Sequence, residues 1–93
     1  GMKVNFYATL RDITGGKEID IPVEPGITAR DLLHAIITRY PAMEKELLQP
    51  DGRLYGHVHL AINGRDVQFL ADDLDTVIDS GDEISVFPAV GGG

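Results

Sequence analysis

Apolar residues fall at every second position near the start of the chain. Val4, Phe6, Ala8 and Leu10 share one phase, and Lys3, Asn5, Tyr7 and Thr9 share the other, the two-residue period of a strand with one buried face. Thr14-Gly15-Gly16 interrupts the pattern. Ile19, Ile21 and Val23 then alternate with Glu18, Asp20 and Glu24, so the two runs predict a hairpin joined by a glycine-containing loop, closed off by the turn pair Pro25-Gly26. At Thr28 the period changes. Ala29, Leu32, Leu33, Ile36, Ile37 and Tyr40 recur at helical spacing, with Thr28 placed to cap the helix, Asp31 at the capping-box position, and Pro41 as the stop. A short helical turn is expected over 43–48 and a polar loop over 49–56. Val58, Leu60 and Ile62 then alternate with His57, His59 and Ala61 in a third strand that ends at the hairpin pair Asn63-Gly64. A short strand near 66–69, an irregular and partly buried connection over 71–80, and a last strand over 83–87 complete the pattern.

The predicted order is hairpin, helix, then two or three more strands, each strand apolar on one face. One helix must therefore cover one sheet, the α+β solution for 93 residues. This order fits the β-grasp, or ubiquitin-like, roll: a mixed sheet of four to five strands on one main helix, with the domain spanning 2–87 and a flexible tail over 88–93. Periodicity alone does not separate it from other small α+β rolls. In a β-grasp the first and last strands lie side by side. That arrangement puts Tyr7, His59, Ala61 and Phe87 on the uncovered face of the sheet as a candidate partner surface, with the two aromatic residues as anchors. Scattered surface apolar residues are the alternative reading.

Composition narrows the chemistry. The absence of cysteine excludes a disulfide framework, a thiolate metal site and a thiol nucleophile belonging to the chain itself. No apolar run approaches a membrane span, and Met2-Lys3-Val4-Asn5 has no secretory pattern, so a cytoplasmic protein is expected; Gly1 is set aside as an addition ahead of Met2. Charge is uneven along the chain. Through Arg65 the acids and bases balance, whereas Asp66, Asp72, Asp73, Asp75, Asp79, Asp82 and Glu83 follow with no Lys or Arg, which accounts for the net charge of −7. Nucleic acid and anionic membrane therefore lose support as partners and a basic protein gains it, the plainer reading being acids that solubilise turns.

Motifs for self-contained catalysis are lacking in the sequence. Gly15-Gly16-Lys17 has Arg11 and Glu18 where a phosphate loop needs Gly and Ser or Thr, so a hairpin loop is expected there. His57 and His59 share a face, but no acid or cysteine near them in sequence completes a metal set, and Asp72, Asp73 and Asp75 lack the Gly and Glu of a calcium loop. No bound cofactor or metal is expected. What remains is the end, Gly91-Gly92-Gly93, whose unbranched backbone can enter a narrow channel. A frayed glycine end is the alternative.

Two stretches resemble a known family, the ubiquitin-like sulfur carriers: MoaD (the small subunit of molybdopterin synthase), ThiS and the small archaeal-type modifier proteins. Met2 to Ile13, MKVNFYATLRDI, is similar to the family's opening strand. Gly81 to Gly93, GDEISVFPAVGGG, is similar to its closing strand, proline exit and diglycine end. Ala89 replaces a frequent second proline, Gly91 stands where another small residue is usual, and the added length between Pro41 and Val58 favours MoaD-like or modifier-like members over ThiS proteins. The resemblance implies that a ubiquitin-activating-type enzyme adenylates the Gly93 carboxylate with ATP. Sulfur delivered by a sulfurtransferase then converts it to a thiocarboxylate, most simply for molybdopterin synthesis with the large synthase subunit. Thiamine, tRNA thiolation, cysteine synthesis and protein conjugation are sibling outcomes. In that chemistry Gly93 supplies the reacting carbonyl, Gly92 the unhindered approach, and Val90 with Gly91 the lead-in, while Pro88 begins the tail. The partners would do the catalysis. A β-grasp interaction module with an inert tail is the reading of a different class.

Overall fold

The computed structural model describes residues 1–89. Strands β1 (Met2–Phe6), β2 (Glu18–Ile21), β3 (Val58–Ile62), β4 (Arg65–Asp66) and β5 (Ile84–Pro88) form one mixed sheet in the order β2-β1-β5-β3-β4. The first and last strands run parallel at its centre, with Val4 beside Ile84 and Phe6 beside Val86, while the other neighbours are antiparallel. Three helices intervene: α1 (Leu10–Thr14), α2 (Ala29–Arg39) and α3 (Met43–Leu47).

The main helix forms for the reasons its sequence gives. Thr28 Oγ1 accepts the Asp31 N–H at 3.1 Å and Asp31 Oδ2 accepts the Thr28 N–H at 3.4 Å, satisfying two donors that helix geometry leaves free. Its stripe of Ala29, Leu32, Leu33 and Ile36 is buried against Val4, Phe6, Leu60, Ile62, Ile84 and Val86 of the sheet in one core, with Ile37 and Tyr40 packed at the margin. Leu10, Met43, Leu47 and Ile78 close the ends of that core.

Three expectations change. The first alternation stops at Phe6, because Arg11 Nε donates to the Phe6 carbonyl at 2.8 Å and Ala8 takes a left-handed φ of 55°. Leu10 still reaches the core, but from the first turn of α1, with Ile13 one turn later against the same core. The β1–β2 connection is thus a helical turn ended by Gly15 at φ 77°, not a plain loop. The segment expected to be a polar loop is tied to the body: Leu54 bridges Leu48, just after α3, and Leu54 and Tyr55 pack against the core. Finally, β5 runs one residue further than expected: Pro88 stands opposite Val58, and the Ala89 N–H donates to the His57 carbonyl. Pro88 therefore continues the strand and does not begin the tail, because the ladder resumes at the next donor.

The acidic connection is held in place by backbone bonds. Gly26 and Ala29 donate to the Ile78 and Thr76 carbonyls at 2.7 and 2.9 Å, and the Ile78 N–H donates to Ile27, burying Ile78 beside the start of α2.

Candidate functional site

The face of the sheet turned away from α2 carries a row of large side chains across four strands. Its register follows from pairing: His59 stands opposite Phe87, Ala61 opposite both Ser85 and Asp66, and Tyr7 continues β1 beside Phe87. The Tyr7 and Phe87 rings meet edge to face, with centroids 6.1 Å apart and planes at 85°, a geometry that suits the ring quadrupoles. The His59 ring lies against the other side of Phe87 at 5.3 Å. Arg11 extends the row, its guanidinium 5.2 Å above the Tyr7 ring, fixed there by its bond to the Phe6 carbonyl.

At the β4 end the row becomes polar. The β3–β4 turn, Asn63-Gly64 with φ of 53° and 82°, is a tight two-residue hairpin that brings Asp66 to the face of His59. Asp66 Oδ2 contacts His59 Nδ1 and accepts Gln68 Nε2 at 3.0 Å. Its Oδ1 accepts the Gln68 N–H at 3.0 Å, which also starts the 3-10 turn Val67–Phe69. The His59 and Asp66 side chains are 21% and 15% exposed, so the pair is set into the surface.

Local spacing predicts no acid beside His57 and His59; the fold corrects this, because the hairpin turn supplies Asp66 to His59 from seven residues downstream. His57 stacks separately on Tyr55 at 5.2 Å, and among the described residues no group of three or more His, Asp or Glu could hold a metal ion. Ala61 occupies the expected face but is only 6% exposed and offers little surface of its own. Gly15 and Gly16 close α1, where Thr14 Oγ1 donates to the Gly16 carbonyl at 2.7 Å. Asp72, Asp73 and Asp75 lie in an exposed turn, Asp75 paired with Arg30 at 3.3 Å. Val90, Gly91, Gly92 and Gly93, the residues expected to carry the chemistry, lie outside the described residues. The chain leaves the described body at Ala89, tied to His57 at the end of the strand that carries Phe87. Among the described residues no helix is long and apolar enough to cross a membrane.

Comparison with known proteins is consistent with this fold. The family model described as the ThiS family matches residues 4–93. Small archaeal modifier protein 3 of Haloferax volcanii is 37% identical over 92 residues, covering 99% of this chain and 98% of that protein. The solution structure of small archaeal modifier protein 1 from Methanosarcina acetivorans superposes with a TM-score of 0.83 at 29% identity, covering 98% of this chain and 94% of that one. A chain in the crystal structure of the Amycolatopsis orientalis BexX/CysO complex gives 0.80 at 25% identity, with 98% of both chains covered.

Proposed function

The chain belongs to the ThiS family of ubiquitin-like sulfur carriers and modifiers, and from that premise we propose that its Gly93 carboxylate is activated by a ubiquitin-activating-type adenylating enzyme and loaded with sulfur as a thiocarboxylate. The carboxylate oxygen attacks the α-phosphorus of ATP and pyrophosphate leaves. A persulfide sulfur then displaces AMP at the acyl carbon, and cleavage of the resulting acyl disulfide by a thiol of the sulfurtransferase leaves the thiocarboxylate. The mixed anhydride is needed because a carboxylate has no leaving group of its own. This route explains how a chain without cysteine could carry sulfur.

One observation carries the reading. The aromatic row of Tyr7, Phe87 and His59 is centred on Phe87 of β5, the strand that leads directly to the diglycine end, so an enzyme seated on that face has the end within reach. Pro88 and Ala89 fix the direction of departure, and Val90 to Gly93 supply the reach, up to about 13 Å if extended. The acceptor we assign is the dithiolene-forming step of molybdopterin, through the large synthase subunit. Thiamine, tRNA thiolation and cysteine synthesis differ only in what consumes the sulfur. A second reading, attachment of the activated end to lysines of other proteins, draws on the likeness to small archaeal modifier protein 3.

The test is incubation with ATP, a persulfide donor and a cognate ubiquitin-activating-type adenylating enzyme, followed by intact mass. Addition of AMP and exchange of one oxygen for sulfur are expected. Gly92→Val, or a residue added after Gly93, should abolish both without changing the unfolding midpoint. A blocked chain that still forms the thiocarboxylate overturns the proposal. Gly-Gly remnants on cellular lysines would favour the modifier reading over the synthase one.

A further inference from the structure

The row on the open face contains a polar group that the carrier reading does not use. His59 Nδ1 contacts the Asp66 carboxylate, with the Gln68 amide nitrogen farther off at 3.4 Å; an ionised carboxylate only accepts hydrogen bonds, so the closer contact assigns the proton to Nδ1. The neutral ring then holds its lone pair on Nε2. Among the described residues Nε2 has no hydrogen-bond partner, and no buried side-chain nitrogen or oxygen lacks one, so Nε2 reaches solvent. Asp66 is itself held on both oxygens by Gln68, which leaves it little freedom to release the ring. The result is a hydrogen-bond acceptor of fixed orientation beside the Phe87 ring, in the middle of the proposed docking face.

We propose that His59 Nε2 receives an arginine of the adenylating enzyme, with Asp66 as the positioning residue that sets the imidazole tautomer and orientation. This rests on the carrier reading and names the partner chemistry of the same face. Three features select a guanidinium. Nε2 is an acceptor backed by a carboxylate, so a cationic donor gains over a neutral one. The Phe87 ring next to it is partly exposed, and a planar cation bonded to Nε2 can lay its flat face along an aromatic ring, which a lysine ammonium does less well. The sequence from Asp66 onward carries seven acids and no Lys or Arg, so no cation of that region competes for the place. Arg11, the cation that does sit on this face, is committed to the Phe6 carbonyl and the Tyr7 ring at the other end of the row.

The test separates the acceptor from its support. Long-range nitrogen NMR of the free chain, at a pH where imidazole is neutral, should show the Nδ1–H tautomer, and Asp66→Asn should shift the ring toward Nε2–H. Binding to the adenylating enzyme should weaken about tenfold for His59→Asn, which keeps a donor toward Asp66 but has nothing at the Nε2 position, the order of a single charge-assisted hydrogen bond. His59→Gln places an amide oxygen near that position and should restore affinity to within about threefold. Asp66→Asn should lose about as much as His59→Asn. On the enzyme side, one arginine→alanine variant should lose a similar factor and lose nothing further when combined with His59→Asn. Full affinity of His59→Asn, an Nε2–H tautomer in the free wild type, or additive losses with every enzyme arginine overturns the assignment while wild-type binding leaves the carrier reading standing. Wild type that does not bind the enzyme at all overturns both.

Discussion

On the helix side of the sheet Val4, Phe6, Leu60, Ile84 and Val86 are closed to solvent, whereas their immediate neighbours in sequence on the other side, Asn5, His59, Ser85 and Phe87, remain partly exposed. Both sets hang from the same strands. A two-residue period lets the chain place cohesion on one face and leave the other open for the proposed recognition, so a substitution changes one with limited cost to the other. The helix side gains its strength from apolar area removed from water. The open side is organised by ring geometry and hydrogen bonds instead, which contribute less to stability and more to orientation.

Substitutions of decreasing effect probe that division. Ile36→Ala, on the buried stripe of α2, should lower unfolding free energy by about 2–5 kcal/mol in a urea titration, through lost transfer energy and an uncollapsed cavity; an unchanged midpoint would remove α2 from the core. Gly64→Ala should cost about 1–2 kcal/mol, because a side chain strains the left-handed turn at φ 82°, and it should loosen the His59–Asp66 contact as seen in the His59 ring shifts. Tyr7→Leu keeps bulk but loses the edge-to-face contact with Phe87. A cost of about 0.5–1 kcal/mol is expected, alongside a clear loss of enzyme binding; a cost equal to that of Ile36→Ala would mean the open face is core after all. Lys3→Ala, which removes an exposed pair with Glu18 at 3.9 Å, should change stability by roughly 0.5 kcal/mol or less by thermal melt.

Much of this division can be read from the chain without coordinates. Thr28, Asp31 and the stripe from Ala29 to Tyr40 specify α2 because capping and helical periodicity are local, and β3 with its Asn63-Gly64 turn is equally local. The first strand was harder to delimit. Leu10 satisfies both a two-residue period from Val4 and a three-residue spacing to Ile13, and only Arg11, reaching back to Phe6, decides between them. Pro88 misleads in the same way, since a missing donor reads as a strand end until the register shows the next residue bonding to His57. The aromatic row was legible from strand phase once first and last strands were taken as neighbours. The Asp66 partner of His59 was not read, although the signal existed: a two-residue turn at 63–64 pairs Ala61 with Asp66 and so sets Asp66 diagonally beside His59. Charge counting hid it by grouping Asp66 with the solvated acids.

The placement of β5 between β1 and β3 has a consequence for how the protein comes into being. The strand that closes the centre of the sheet is the last one a ribosome makes, so until residue 88 has emerged neither β1 nor β3 has its inner neighbour. Before then, two unpaired strand edges and the apolar faces of Val4, Phe6 and Leu60 have nothing to close against. Pairing residues some eighty positions apart is also slow, because distant ends must meet before any contact rewards them. The segment that carries Phe87 is thus also the piece that completes the fold, and a chain cut short of it would be left with an open sheet rather than merely a shorter end.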